Sequence, residues 1–95
     1  SARFVSFRDE DGSFRFRLLA ADGEQLLLSR SFADGKSAGA VSKQLQQGGE
    51  ADVRVDGLGF SLWLDGEQVA DGPQFADASA RDAAVLSLRE ALAPQ

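Results

Sequence analysis

Two stretches of the chain alternate between apolar and polar residues with a period of two, FRFRL at 14–18 and FSLWL at 60–64. This period is typical of a β-strand that buries one face, and it does not fit an amphipathic helix. The apolar runs are separated by Asp-Gly dipeptides, which readily adopt the positive φ angles of tight hairpin turns. The pattern predicts four such turns, at residues 11–12, 22–23, 56–57 and 65–66, joining six strands at about 3–8, 13–20, 25–30, 51–55, 59–64 and 67–71.

The chain also repeats itself. The tetrapeptide DGEQ stands at 22–25 and again at 65–68, and Phe-Ala-Asp follows each copy at the same distance. Aligned on these blocks, the second copy loses three residues before its turn. Three strands and one helix of about 45 residues would be marginal alone, so two copies are expected to share one sheet and one core. We therefore predict a single domain, 1–95, built from tandem repeats at about 2–47 and 51–93.

Apolar residues at helical spacing follow each Phe-Ala-Asp block. The first helix is predicted from Ala38, Val41 and Leu45, with Gly48-Gly49 as its end. The second is predicted from Val85, Leu88 and Leu92, with Pro94 after its end. Candidates for the capping residues at the two helix starts are Asp34 and Asp77, with Ser37 and Ser79 as competitors. Ser79 with Asp82 resembles a capping box.

The stretch FRFRLLAADGEQL (14–26) resembles the repeat of the YegP-like family of small bacterial proteins, which typically reads YRFRLKAANGEVI. The chain departs from that pattern at Leu19, Asp22, Phe32 and Phe75. The resemblance implies an α+β fold: a β-β-β-α unit, present twice, forming one continuous six-stranded, mostly antiparallel sheet with two helices on one face and the helices exchanged between units. It implies no activity and no catalytic residue.

The composition excludes several kinds of chemistry. The 95 residues include no cysteine, histidine, tyrosine or methionine, which removes thiol catalysis and the commonest general base and metal ligands. The acidic run at 9–11 puts its glycine too early for an EF-hand loop, so a solvated turn is the better interpretation. We predict no catalytic residue, cofactor or metal, and a protein that is not an enzyme. Without a signal peptide or an apolar span, it is predicted to be cytoplasmic.

The net charge of −5 is divided unevenly. Residues 1–49 carry 7 basic and 6 acidic side chains, whereas residues 50–95 carry 3 basic and 9 acidic ones. Such a chain is expected to be a poor binder of polyanions.

Turn geometry predicts which residues share a face of the sheet. If Asp22-Gly23 forms a two-residue turn, Leu18 lies opposite Leu27, and Leu19 and Arg17 lie opposite Leu26 and Leu28, respectively. A three-residue turn would reverse this partition. With the two-residue turn, the face toward the helices carries Phe14, Phe16, Leu18, Leu27, Phe60, Leu62 and Val69, and the other face carries Arg15, Arg17, Leu19, Leu26, Leu28, Ser61, Trp63 and Gln68.

The second face is the candidate functional surface, through Arg15, Arg17, Leu19, Leu26, Leu28 and Trp63. Tryptophan and arginine are enriched at binding hot spots, so we predict a non-enzymatic module for contact with a protein partner or a second copy. One alternative is a small-molecule or nucleic-acid binder that uses Arg15, Arg17 and Trp63. Another is a solvated face, with arginine stems on the leucines and Trp63 under a loop.

Overall fold

The computed structural model describes residues 1–48 and 50–92. The strands are β1 (Arg3–Arg8), β2 (Phe14–Leu19), β3 (Gln25–Ser29), β4 (Ala51–Asp56), β5 (Gly59–Leu64) and β6 (Glu67–Asp71). The helices are α1 (Gly35–Gln46) after β3 and α2 (Ala78–Leu92) after β6. The predicted α+β fold is confirmed, and each predicted strand end lies within one residue of the observed end.

The six strands form one sheet in the order β1-β2-β3-β6-β5-β4, and every neighbouring pair is antiparallel. The first half of the chain (residues 1–48) meets the second half (residues 50–92) at β3 and β6, where Leu28 pairs with Asp71 and Ser29 with Ala70. An antiparallel pairing at the centre relates the two halves by a local two-fold axis perpendicular to the sheet.

The two DGEQ stretches form turns of different length. Asp65 and Gly66 have φ angles of 52° and 79°, and Leu64 pairs with Glu67, so the second turn has two residues. In the first turn, Ala20 donates its N–H to the Glu24 carbonyl (2.8 Å), which leaves three residues, 21–23, in the turn. The predicted two-residue turn at Asp22-Gly23 is therefore wrong.

A β-bulge compensates for the longer first turn. Leu18 pairs with Leu27 and Arg17 with Leu28, as predicted, but Leu19 pairs with Gln25. Leu26 is the extra residue, and it absorbs the added length so that the rest of the register is unchanged. The second half has a bulge at the corresponding place, between Leu62 and Trp63.

The registers also correct the alignment of the two halves. Leu19 pairs with Gln25 and Trp63 with Gln68, so Leu19 matches Trp63. Counting back along the strands, Phe60 matches Phe16 and not Phe14. The second half is therefore one residue shorter before its turn, not three residues.

The core lies between the sheet and the helices. Its largest fully buried apolar side chains are Phe16, Leu18, Leu27, Leu45, Leu62 and Leu88. Of the residues predicted to face the helices, all are buried except Phe14, which is half-buried. Helix α1 contacts β1 and β2, and α2 contacts β5. Helix α1 thus packs on strands of its own half, which corrects for that helix the exchange implied by the family resemblance; α2 contacts β5 and also passes the start of β1.

Aspartates cap both helix starts. The Asp34 carboxylate accepts the Ser37 N–H (2.7 Å), and the Asp77 carboxylate accepts the Ala80 N–H (2.8 Å). The Ser37 amide is the main reason that the pKa of Asp34 lies below its usual value. The predicted ends at Gly49 and Pro94 lie outside the described residues. Within residues 1–48 and 50–92, neither helix has the length and apolar content needed to cross a membrane.

Candidate functional site

The sheet face turned away from the helices, called the open face below, is formed by alternate residues of all six strands. Its central row crosses the whole sheet, because each residue pairs with the next, in the order Val5, Arg17, Leu28, Asp71, Ser61 and Arg54. The rows on either side add Arg3, Phe7, Arg15, Leu19, Asp52, Asp56, Trp63 and Gln68.

Five of the six residues predicted for this surface lie on the open face, namely Arg15, Arg17, Leu19, Leu28 and Trp63, and all five are half-buried. Leu26 does not. It is 5% exposed and lines a depression beside Ala80 and Ala84 of α2, because the bulge turns it toward the helices. The prediction for Leu26 is wrong, and the cause is the three-residue turn.

Among the members of the open face that sequence reasoning left unassigned are Arg3, Phe7 and Arg54. They lie on the edge strands β1 and β4, whose faces were not predicted. The Asp-Gly dipeptides did not fix this register, because the first turn has three residues, 10–12, with Asp9 bonded to Ser13, and the turn before β5 comprises residues 57 and 58. In the second half, Asp56 pairs with Gly59 and Arg54 with Ser61.

In the first half, an arginine lies over an aromatic ring. The Arg17 guanidinium carbon is 3.9 Å from the centroid of the Phe7 ring on the neighbouring strand. The Nε of Arg17 is buried, and it has no hydrogen-bond partner among the described residues. Arg15 is held differently: its Nε donates to Asp9 Oδ2 (2.8 Å), and a terminal nitrogen donates to the Ser29 carbonyl (2.9 Å). Arg15 is thus neutralised locally, whereas Arg17 rests on an uncharged ring.

The second half contains a similar stack. The Arg54 guanidinium carbon lies 4.0 Å from the centroid of the Trp63 ring, and the Arg54 Nε donates to Asp52 Oδ2 (2.8 Å). The Trp63 indole N–H donates to the Ser61 hydroxyl (2.8 Å). These contacts fix the orientation of the tryptophan ring, since its polar edge and one ring face both have partners.

Charge divides the open face into two regions. The first half contributes Arg3, Arg15 and Arg17, and the second half contributes Asp52, Asp56 and Asp71 together with Arg54. The charge even reverses at matched positions: Arg3 lies opposite Leu19 in β2, and Asp52 lies opposite the corresponding Trp63 in β5. The Arg15–Asp9 and Arg54–Asp52 pairs each cancel one charge. A positive region therefore borders a negative one.

The acidic turns have structural roles. Asp22 accepts the N–H of Glu24 (2.9 Å) within its own turn, and Glu67 forms an ion pair with Arg30 at the end of β3. Asp11 bonds Ser13, and the Ser13 hydroxyl is the main reason that the pKa of Asp11 is lowered. Nowhere in the described part of the chain do three acidic side chains converge in a way that could hold a metal ion.

A surface depression of about 580 Å³ lies where α2 passes the start of β1. Four of its ten lining residues are alanines, and its charged side chains, Arg3 and Glu90, are exposed to solvent. This lining offers no arrangement suited to acid–base chemistry.

No protein-family model matches the chain. The chain is similar to a segment of tryptophan–tRNA ligases: 88% identical over 95 residues to that of Pseudomonas putida, 72% over 95 residues to that of Pseudomonas aeruginosa, and 62% over 94 residues to that of Bordetella pertussis. The matches cover 97–100% of this chain but 21% of each ligase. The chain therefore spans about a fifth of the length of the curated relatives it matches.

A solved structure has the same fold. It is the solution NMR structure of YegP, a protein of unknown function from E. coli, with a TM-score of 0.75 and 22% sequence identity. The match covers 100% of this chain and 89% of that one. The fold is thus YegP-like, as the sequence resemblance implied.

Proposed function

We propose that the chain is a non-catalytic module of a longer polypeptide of the tryptophan–tRNA ligase type, and that it acts by protein contact through the open face. Support for the longer polypeptide comes from the relatives, in which a segment about as long as this chain makes up 21% of the ligase. We assign the ligase chemistry to the remainder of that polypeptide, since this chain has no histidine, cysteine or tyrosine.

The observation that carries the contact proposal is the pair of arginine–aromatic stacks, Arg17 with Phe7 and Arg54 with Trp63. A sheet face that only meets water is usually polar, whereas this one also presents Val5, Leu19 and Leu28. Aromatic residues and arginine are the residue types enriched in the centres of protein interfaces.

The arginines and the tryptophan are also held in place before any partner arrives. Arg15 is bound by Asp9 and the Ser29 carbonyl, and Trp63 is bound by Ser61. Side chains that are already ordered lose little conformational entropy on association, so their contacts contribute more fully to affinity. This preorganisation favours an interface over a solvated face.

We further take the two halves as tandem repeats of one β-β-β-α unit, at about 2–47 and 51–93. The matched bulges at Leu26 and Val69 and the paired Asp34 and Asp77 caps support this origin. After duplication, the core positions would stay apolar while the open faces of the two units acquired opposite charge.

Site-specific photo-crosslinking tests the contact proposal. A benzoylphenylalanine would replace Phe7 on the open face or, as the control, Leu86, which is 60% exposed on α2. Both variants would be irradiated in bacteria that express the ligase carrying this chain. We expect protein adducts from position 7 and few from position 86. Equal labelling from both positions, or no protein adduct from position 7, would contradict the proposal.

A second candidate is contact with RNA. It is favoured by the name of the relatives, which are tRNA ligases, and by three arginines beside Phe7 on one half of the open face. The net charge of −5 and the aspartates of the other half oppose it. Measuring tRNA affinity at several salt concentrations separates RNA contact from protein contact. If the open face binds RNA, the slope of log affinity against log salt concentration should fall by about one in an Arg17→Ala variant. Absence of binding at low salt would end this candidate.

A further inference from the structure

Resting on the proposed contact function, we infer that the partner of the open face is the open face of a second copy of this chain. In this dimer the arginine region of each copy covers the aspartate region of the other. A symmetric dimer needs a surface that is complementary to itself, and a face with one positive and one negative half meets that condition.

The register of the sheet specifies the arrangement. A two-fold axis that lies between the two faces, parallel to the strands and over the β3–β6 boundary, places β1 of one copy over β4 of the other, and β2 over β5. Arg3 and Asp56 lie at the same level along the strands, two residues from the central row on the same side. The axis therefore sets Arg3 of each copy against Asp56 of the second copy.

The same axis also brings together residues on the other side of the central row. Arg15 and Trp63 both lie two residues from that row, on the side opposite Arg3 and Asp56. Each Trp63 ring would thus meet an arginine of the second copy. A two-fold axis across the strands would instead place arginines on arginines, with Arg17 facing its own copy, which like-charge repulsion disfavours.

The available area suits a reversible dimer. Six strands about 4.8 Å apart and about 20 Å long give a face of about 580 Å², or about 1,200 Å² for the two copies together. This is the lower limit for specific interfaces, so we expect dissociation in the micromolar range.

A charge-swap experiment tests this pairing. Sedimentation equilibrium would be run on the full chain and on Arg3→Asp, Asp56→Arg and the double variant that carries both changes. Each single change sets like charges together twice in the dimer, and we expect at least about tenfold weaker association. The double variant restores opposite charges and should return to within about threefold of the original affinity.

Rescue would be specific to the dimer, because Arg3 and Asp56 lie on opposite edge strands of their own sheet and cannot pair within one copy. Both residues are exposed, so circular dichroism should show unchanged folding in every variant. A chain that stays monomeric at millimolar concentration overturns the inference, as does a dimer that is indifferent to both single changes. In either case, crosslinks from position 7 to a different protein would still support the proposed contact function.

Discussion

Arg54 holds the Trp63 ring from one side, 4.0 Å from its centroid, while its Nε is bound to Asp52. The change Arg54→Ala removes both contacts. We expect a loss of about 0.5–1 kcal/mol in the free energy of unfolding, because a cation–π contact at a partly exposed site has that magnitude. Urea unfolding would measure it. Trp63 is the sole tryptophan, so its fluorescence emission should also shift to longer wavelength as the ring gains solvent.

The matched control for this prediction is Arg89→Ala, which removes an exposed arginine of α2 on the other side of the molecule. It should leave the tryptophan emission unchanged. An identical emission spectrum for Arg54→Ala would show that the stack does not persist in solution.

Gly72 is required because a side chain at this position would collide with a neighbouring ring. A Cβ at this position would lie 2.5 Å from a carbon of the Phe60 ring. That ring stacks on Phe75, with centroids 5.9 Å apart, and is 4% exposed, so it has little room to move. We expect Gly72→Ala to lower the free energy of unfolding by about 1–3 kcal/mol, the usual cost of overpacking a core.

The matched control here is Gly39→Ala in α1, where a Cβ would meet nothing within 4 Å. Within a helix, alanine is about 1 kcal/mol more favourable than glycine, so the Gly39→Ala variant should be more stable than the original chain. Thermal unfolding of the two variants should therefore move in opposite directions. A shift in the same direction would contradict the packing described for Phe60.

Comparison of the sequence-based predictions with the structure shows where local patterns suffice. The alternation of apolar and polar residues at 14–18 and 60–64 predicted β2 and β5 correctly, because each of these strands buries one face. The length of the first DGEQ turn could not be read in the same way. Asp22-Gly23 suits both a two-residue and a three-residue turn, and only the pairing of Leu19 with Gln25 distinguishes them. The misplacement of Leu26 follows from that ambiguity.

The candidate surface was predictable where it follows from alternation in a central strand, as for Arg15, Arg17 and Trp63. Its stacks were not, because each joins residues diagonally across two strands. Arg17 pairs with Val5 yet covers Phe7, and Arg54 pairs with Ser61 yet covers Trp63. Such contacts depend on register and side-chain rotamer together, and neither is encoded in a local pattern.

Acid should weaken the start of α1. The pKa of Asp34 is lowered because its carboxylate accepts the Ser37 N–H, so the folded state favours the charged form. The stabilisation is fully present above the usual aspartate value of 3.8 and is lost as the pH falls through the lowered pKa. Carboxyl NMR titration should find Asp34 below its usual pKa.

The control for this titration is Asp34→Asn, because asparagine also caps helices but does not titrate in this range. Its unfolding free energy should change less between pH 5 and about pH 2 than that of the original chain. An Asp34 carboxyl that titrates at the usual value would show that the capping bond is absent in solution.

The last prediction concerns the first half in isolation. In the full chain, β3 pairs with β6, and the Arg30 N–H donates to the Val69 carbonyl (2.8 Å). One of the two strands that flank β3 is therefore supplied by residues 50–92. Cutting after residue 47 removes the neighbour of β3, so that β3 becomes an unpaired edge strand. The cut also exposes apolar core residues that the second half covers. We expect the fragment 1–47 to be unfolded as a monomer, or to dimerise by pairing β3 with its own copy about the same local two-fold axis.

Two measurements on this fragment separate the outcomes. Circular dichroism over a concentration range should show structure that grows with concentration, and sedimentation should show that the structured species is a dimer. The change Arg30→Pro, which removes the N–H that bonds β6 in the full chain, should abolish that dimer. A fragment that is folded and monomeric at low concentration would mean that each half has a sufficient core of its own, and that the central β3–β6 pairing joins two units that are already stable.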